Sequence, residues 1–389
     1  MAHPRHIAFV ISSLGLGGAE RALVDLANRL AARGHELTVL TLEGSGQESF
    51  FPLRPEVRRL CLDLKRPSMG LVSGVLANLG RVRALRRTLR DVKPDAVLGF
   101  IDTTNVLTLL ACLGLGVRVV VAERSVPGVH PVGRLWSALR RLTYPLAAAV
   151  VVQSRDALMR LSPLARRKAV VLPNAVARPD HTAPAPPPDL PPELPPSLPK
   201  NAQLVLALGR LSPEKNLDAL VRAFAALAPK YPGLLLALVG EGPERARLAA
   251  LAQELGLADR VLLPGAAKNP APWLAQAQLF VLPSRYEGFP NALCEAMAHS
   301  RAVIATDCPG GVADIVRHGQ NGWLLPVCCG DGLAPALAEA MNTLLADPAL
   351  RTRLGLRASE VLERFHPEAI LARWEELLVG KAPAARPGG

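Results

Sequence analysis

Aromatic residues make up only 4% of the 389-residue chain. That is too few for the stacking platforms of single-strand nucleic-acid binders, and no helix-turn-helix, zinc-finger or RNP-like pattern occurs, so nucleic acid is not an expected partner. No C-x-x-C is present among the six cysteines, and the adjacent Cys328 and Cys329 have no His or Cys at ligand spacing. Neither a zinc site nor a disulfide framework is indicated, and a reducing cytoplasm is expected. No D-x-D occurs anywhere, so an enzyme that neutralises a diphosphate through a carboxylate-held divalent metal is not suggested. Long apolar runs are missing too: residues 106–117 and 142–152 fall short of the roughly twenty that span a bilayer. Arg5 and His6 before residues 7–11 imitate a signal peptide, but Ser12 and Ser13 break the run, which reads as a first strand.

What is present is a large apolar fraction, 50%, in a chain long enough for two cores, and a formal net charge of +12, which favours an anionic partner. Residues 6–11, 19–33 and 36–41 read as strand, helix and strand, the βαβ unit of a doubly wound parallel sheet. Further strands are expected at 57–62, 96–100, 118–122, 147–152 and 169–172. Residues 178–200 carry Pro186, Pro187, Pro188, Pro191, Pro192, Pro195, Pro196 and Pro199, where missing donors and fixed φ predict an extended linker. The pattern then restarts: strands at 204–208, 234–239, 261–263, 279–282 and 302–305 alternate with helices. The expected organisation is α/β throughout: a doubly wound Rossmann-like domain over 1–177, a second over 201–364, a helix over 365–380 with an apolar stripe, and a disordered tail over 381–389.

Three strand-to-helix turns carry candidate chemistry. In the first, Gly15, Gly17 and Gly18 approach a dinucleotide fingerprint, but Glu20 stands where a third glycine belongs, which argues against a dehydrogenase. Gly17 and Gly18 still expose amides at a helix start, either to hold a ligand or merely to permit a turn. In the second, Arg210 and Lys215 lie five residues apart between a strand and a helix, a fork and a point charge suited to a diphosphate, or a solvated basic loop. In the third, Glu287, Gly288, Phe289, Pro290 and Asn291 lead into a helix that holds Glu295, with Asn291 a candidate N-cap. Two carboxylates bracketing open amides can accept from the hydroxyls of a sugar, or can be ordinary loop and first-turn acids.

Gly17-Gly18-Ala19-Glu20, Gly209-Arg210 through Lys215-Asn216, the Glu-x7-Glu of residues 287–295, Gly310-Gly311 and Asn321-Gly322 occur in the order found in family-four glycosyltransferases, which this chain resembles over nearly its whole length. The resemblance implies the GT-B fold, two Rossmann-like domains facing across a cleft, with a nucleotide-sugar, UDP-linked by expectation, as donor. It implies metal-independent transfer with retention of configuration, no cofactor, and a last helix crossing back to the first domain. It also implies that Arg210 and Lys215 hold the leaving diphosphate, Glu287 and the amides after it hold the sugar, and Glu295 holds the ribose. Many members carry a histidine after the strand matching residues 118–122. Here Glu123-Arg124-Ser125 stands instead, similar to the subset that builds bacterial lipid-linked oligosaccharides and exopolysaccharides. That implies a lipid-linked glycan acceptor, with Glu123, Arg124 and Asp102 on the acceptor side, although Asp102 can equally be an N-cap. A nucleotide-sugar epimerase of the same fold and a non-catalytic nucleotide-sugar-binding partner are the alternatives.

One further helix, over 71–93, sets Arg83, Arg86, Arg87 and Arg90 along one edge of the stripe Val75, Leu79, Val82, Leu85 and Leu89. It reads either as a core helix with a basic flank or as an interfacial helix on anionic lipid, the latter placing the protein peripherally on the inner face of the cytoplasmic membrane.

Overall fold

A computed structural model describes residues 5–64, 71–130, 132–179, 203–267, 269–327 and 332–380, the side chains of 71–73 excepted. Most of the proline-rich stretch, Cys328, Cys329 and residues 381–389 lie outside the described residues. The chain divides into two compact units, Met1–Ala175 with Pro367–Gly389, and Val176–His366.

The first unit runs β1 (His6–Ile11), α1 (Gly18–Ala32), β2 (Glu36–Thr41), β3 (Arg58–Cys61), α2 (Leu71–Val92), β4 (Ala96–Phe100), α3 (Asp102–Cys112), β5 (Arg118–Ala122), α4 (Arg134–Thr143), β6 (Ala149–Val152), α5 (Arg155–Arg160), α6 (Pro163–Arg166) and β7 (Ala169–Val171). Its seven strands are ordered β3-β2-β1-β4-β5-β6-β7, and every pairing is parallel. Buried on both sides, β1 sends Ile7, Phe9 and Ile11 to one core and Ala8 and Val10 to the other. Helix α1 covers the first face, and α2 to α6 cover the second.

The second unit repeats the plan with β8 (Gln203–Leu208), α7 (Leu217–Leu227), β9 (Leu234–Val239), α8 (Arg245–Glu254), β10 (Val261–Gly265), α9 (Ala271–Gln276), β11 (Leu279–Leu282), α10 (Asn291–Ala298), β12 (Ala302–Asp307), α11 (Val312–Ile315), β13 (Trp323–Pro326), α12 (Leu333–Ala346), α13 (Pro348–Ala358) and α14 (Val361–Arg364). Strand order is β10-β9-β8-β11-β12-β13, again all parallel. In both units the order reverses between the first strand and the fourth. The helices that follow those two strands pack on opposite faces of each sheet, and in open sheets of this kind ligands bind at the carboxyl ends of the strands at that point.

The last helix, α15 (Pro367–Val379), belongs to the first unit. Leu371, Trp374, Leu377 and Leu378 are buried in the core that α1 covers, Arg118 Nε donates to the Leu377 carbonyl at 2.8 Å, and Glu375 meets both Arg33 and His35.

Candidate functional site

In the second unit, β8 and β11 are neighbours at the reversal point, so the turns that follow them lie side by side. The first passes through Gly209, at φ +145°, and a 3-10 turn at Pro213–Lys215, then Asn216 in the left-handed region at φ 53°, before α7 begins. Glycine is required at Gly240 in the adjacent β9 turn, where a Cβ would collide with the Gly209 carbonyl. Close backbone contact therefore fixes the loop that carries Arg210 and Lys215.

That loop is tied to the β11 turn by three contacts. Lys215 Nζ donates to Glu287 Oε1 at 2.6 Å, the Arg285 amide donates to the Glu214 carbonyl at 2.8 Å, and the Arg285 guanidinium donates to Asn216 Oδ1 at 3.0 Å. Ser284 Oγ also donates to Glu287 Oε1, at 2.7 Å. The Glu287 backbone bridges to the 309–311 turn, its amide to the Pro309 carbonyl and its carbonyl from the Gly311 amide. Glu287 is thus buried, 7% exposed, and held from three directions, with a cation against one oxygen. A small pocket beneath is lined by Gly209, Arg210, Lys215 and Ser284. Burial first, and Glu287 next, push the neighbouring Cys308 thiol up to about 12, so it stays protonated at neutral pH.

Helix α10 starts differently from expectation. Asn291 is its first residue, and the cap position is Pro290, at φ −80° and ψ 80°, because the first helical bond runs from the Cys294 amide to the Pro290 carbonyl. Proline fits at this boundary because it lacks only a donor that would be orphaned anyway. The first-turn amides that a ligand could reach are then those of Ala292 and Leu293 as well as those of the preceding turn. Gly288 lies within that turn. The Phe289 ring is buried edge-on against Phe365 with centroids 5.6 Å apart, and its carbonyl accepts from the Asn291 amide at 3.0 Å. Glu295 is half-buried one turn along the helix, and its carbonyl accepts from the His299 amide and ring. Asn321 and Gly322 serve the fold: Asn321 Oδ1 accepts from the Arg317 amide at 2.7 Å, and a Cβ on Gly322 would press on Val303 and Val316.

In the first unit, the Glu20 carboxylate folds back over Gly17, where a Cβ would have to displace that flexible side chain. A carboxylate of the chain itself therefore stands at the start of α1, beside Gly18. It disfavours an anion there and suits a hydroxylated ligand better. Sequence reading passed over Glu43, which is buried, accepts from the Leu14 amide at 2.8 Å and pairs with Arg59 at 2.9 Å, fixing the loop that leads to the glycines. A lone Glu at a strand end carries no pattern that would single it out.

Asp102 opens α3 rather than capping it. The cap position is Ile101, at φ 74°, a conformation that a β-branched residue rarely adopts. It is held by its amide bond to the Ala122 carbonyl (3.1 Å) and by the Asn105 amide on its own carbonyl (2.8 Å). Strain of this kind costs about 1–3 kcal/mol and persists where neighbours over-determine it. The result is a buried Asp102 whose Oδ2 lies 3.5 Å from Ser125 Oγ and 4.0 Å from His130 Nε2. Glu123, 1% exposed, accepts from Tyr144 Oη at 2.7 Å and Ser125 Oγ at 2.7 Å, and pairs with Arg140 at 3.4 Å. Burial first, and Glu123 next, raise the Tyr144 hydroxyl well above its ordinary pKa, so it remains a donor. The Arg124 guanidinium lies over the Phe100 ring at 4.1 Å and near Trp374, donates to Asn174 at 2.6 Å, and is pulled down to about 9 by burial. Glu123 and Arg124 thus brace β5 against α4 and α15, and Asp102, Ser125 and His130 form the more open end of the cluster.

Two family descriptions match these halves: "Glycosyltransferase Family 4" over residues 16–178 and "Glycosyl transferases group 1" over residues 194–361. The chain belongs to glycosyltransferase family four. It is a glycosyltransferase of GT-B type, and the fold matches solved structures over almost the whole chain. Sucrose-phosphate synthase from Thermosynechococcus elongatus is 23% identical with a TM-score of 0.78, covering 96% of this chain and 98% of that one. The Anabaena protein HepE in complex with UDP-glucose is 20% identical with a TM-score of 0.76, at 96% and 98% coverage. By sequence the chain is similar to a Campylobacter jejuni enzyme named GalNAc-alpha-(1->4)-GalNAc-alpha-(1->3)-diNAcBac-PP-undecaprenol alpha-1,4-N-acetyl-D-galactosaminyltransferase. The two are 28% identical, with 96% of this chain and 98% of that protein covered. It is also 30% identical to an exopolysaccharide phosphotransferase of Streptomyces coelicolor, over 93% of this chain but only 39% of that longer protein.

Proposed function

We propose that this glycosyltransferase moves a hexose or N-acetylhexosamine from a nucleotide-sugar, UDP-linked, to a hydroxyl of a lipid-linked glycan, with retention and without a metal, as a peripheral protein on the inner face of the cytoplasmic membrane. The observation that carries the donor half is the Lys215–Glu287 pair at the reversal point of the second sheet. A cation is held there beside amides and next to Arg210. When a diphosphate enters, Lys215 can exchange Glu287 for phosphate oxygens, and together with Arg210 it supplies the positive charge that a metal would otherwise bring. Glu287, released, becomes an acceptor for sugar hydroxyls, and its charge stabilises an oxocarbenium-like centre as the diphosphate departs. Glu295 would take the ribose diol. The acceptor half rests on relatives whose names specify undecaprenyl-diphosphate-linked glycans, and Asp102 would accept a hydrogen bond from the incoming hydroxyl. Among the described residues no helix is long and apolar enough to cross a membrane.

The test is a calorimetric screen of UDP-, GDP- and ADP-sugars, followed by transfer to a polyprenyl-diphosphate-linked saccharide in the presence of EDTA, with the anomeric configuration of the product read by NMR. An α-linked product from an α-donor, formed equally with the chelator, is expected. Loss of turnover with EDTA, or inversion at the anomeric carbon, would overturn the mechanism. Sugar isomerisation without acceptor would make the enzyme an epimerase.

A further inference from the structure

The chain enters the second unit at Val176 and leaves it at His366, and just inside these two ends the backbone is tied together: the Val176 amide donates to the Phe365 carbonyl at 2.9 Å. Arg364, the last residue of α14, and Phe365 after it are thereby anchored, and the donor chemistry described above makes no use of either. Each reaches the turn that carries Glu287 by its own route.

The first route runs through α11. The Arg364 guanidinium is half-buried, forms no ion pair among the described residues, and donates to the last carbonyls of that helix, Asp314 at 2.5 Å and Ile315 at 3.0 Å. A helix of four residues closes too few bonds of its own to stand alone, and its final carbonyls form a negative end that a guanidinium suits. Helix α11 starts directly after Gly310-Gly311, and that turn bonds the Glu287 backbone on both sides. The Glu287 amide donates to the Pro309 carbonyl at 3.0 Å, and the Gly311 amide donates to the Glu287 carbonyl at 3.3 Å. The second route runs through rings. Phe365 meets Phe289, two residues beyond Glu287, edge-on, and the Arg364 guanidinium lies over the Phe365 ring at 5.1 Å.

This support matters most after the donor arrives. In the free protein the Glu287 carboxylate is held by Lys215 and by Ser284. Once Lys215 exchanges it for a diphosphate, the carboxylate keeps only Ser284 of the two, and its position is set by the backbone beneath it. A misplacement of about 1 Å caused by a distant change can cost roughly a hundredfold in rate.

We propose that Arg364 and Phe365 are positioning residues for transfer, holding the Glu287 turn in place while Lys215 is engaged with the diphosphate, Arg364 through α11 and Phe365 through Phe289; this rests on the role of Glu287 proposed above. Phe365→Leu and Arg364→Gln are made in the parent and in Glu287→Gln. In the parent each should lower kcat by about tenfold or more while UDP affinity and donor KM stay within about twofold, because Arg210 and Lys215 still take the diphosphate. In Glu287→Gln the same substitutions should cost less than about twofold, since the group they position is already lost. Arg364→Lys, which keeps a donor for the α11 carbonyls, should recover part of the rate. Hydrogen exchange reads the turn directly: the Glu287 and Gly311 amides should exchange faster in Phe365→Leu, with those of β11 unchanged, which also shows that the unit is folded. Should Phe365→Leu not fold, Arg364→Gln carries the same comparisons. Exchange like the parent's, kcat within about twofold of the parent, or an equal kcat loss in both backgrounds overturns the proposal. So does UDP affinity that falls with kcat, since the pair then merely supports the donor pocket. If Glu287→Gln alone keeps the parent's rate, the role of Glu287 fails; faster exchange with a lower kcat in Phe365→Leu then still identifies the brace, acting through the amides of the turn.

Discussion

Lys215 and Glu287 were each legible in the sequence as charged residues on strand-to-helix turns, but their 2.6 Å contact was not. They are 72 positions apart, and only the strand order, which sets β8 beside β11, brings their turns together. The pair changes what substitution should do. Glu287→Gln keeps the acceptor oxygen for Ser284 but removes the charge that holds Lys215, leaving the ammonium free for a diphosphate. UDP affinity should therefore hold or rise while kcat falls by about a hundredfold, the charge being needed chiefly in the transition state. Glu295→Gln should do the reverse, raising the donor KM and weakening UDP binding with little change in kcat. Calorimetry with UDP and steady-state kinetics on both variants check this, and a Glu287→Gln protein that loses UDP would reverse the two assignments. Lys215→Ala removes the partner of a carboxylate that is 7% exposed, so it should cost about a hundredfold or more in rate. Arg124 shows the other limit of sequence: nothing in Glu123-Arg124-Ser125 says that the guanidinium lies over Phe100 and near Trp374, because those partners are set by β4 and α15.

At the scale of elements the period-two and period-3.6 patterns carried most of the fold. The strands at 96–100, 118–122, 234–239 and 279–282 stand where their apolar runs place them. The short β13 and the helical run α12 to α14 went unplaced, since Trp323–Pro326 is four residues long and its neighbours alternate less cleanly. The stripe on the last helix was legible as needing cover, and α1 with the first sheet provides it. Trp374, 3% exposed, is the largest side chain of that stripe, so Trp374→Ala should destabilise the first unit by about 3–5 kcal/mol, read by denaturant unfolding. Glu375 adds a pH dependence. Burial raises its carboxyl, but hydrogen bonds and charges from His35 and Arg33 outweigh this and hold it below 4.5. Because the folded value lies below the unfolded one, its contribution is present above about pH 4.5 and is lost as pH falls through the folded value. The thermal midpoint of the parent should drop more steeply with acidification than that of Glu375→Gln, and parallel curves would show that the pair contributes nothing.

Across the whole molecule, charge and exposed apolar surface are unevenly shared. Of thirteen large hydrophobic residues exposed among the described ones, nine (Val75, Leu76, Leu79, Leu113, Leu135, Leu142, Leu146, Met159 and Leu164) lie on α2, α4, α5, α6 or the turns that follow α3 and α4. These elements all cover one face of the first sheet, and α2 contributes five arginines against a single acid. A +12 chain distributed in this way should meet an anionic surface with that layer. The arginine row read from the sequence needs one correction. Arg86 is half-buried and donates to the carbonyls of Ala111 and Leu113, at the end of α3, so it belongs to the fold. Period alone could not separate it from its neighbours, because the partner is on another helix. The apolar stripe divides likewise: Leu85 and Leu89 are core, while Val75 and Leu79 are exposed. Arg83, Arg87 and Arg90 are the three left exposed, and each should add roughly 1 kcal/mol of attraction to an anionic leaflet. Replacing those three by Ala should weaken sedimentation with phosphatidylglycerol vesicles by roughly a hundredfold, and raising salt should do the same to the parent. Arg86→Ala alone should instead lower the unfolding midpoint and leave vesicle binding nearly unchanged. If the triple variant sediments like the parent, α2 is an ordinary core helix with a solvated flank, and attachment must come from the exposed leucines of α4 or not at all.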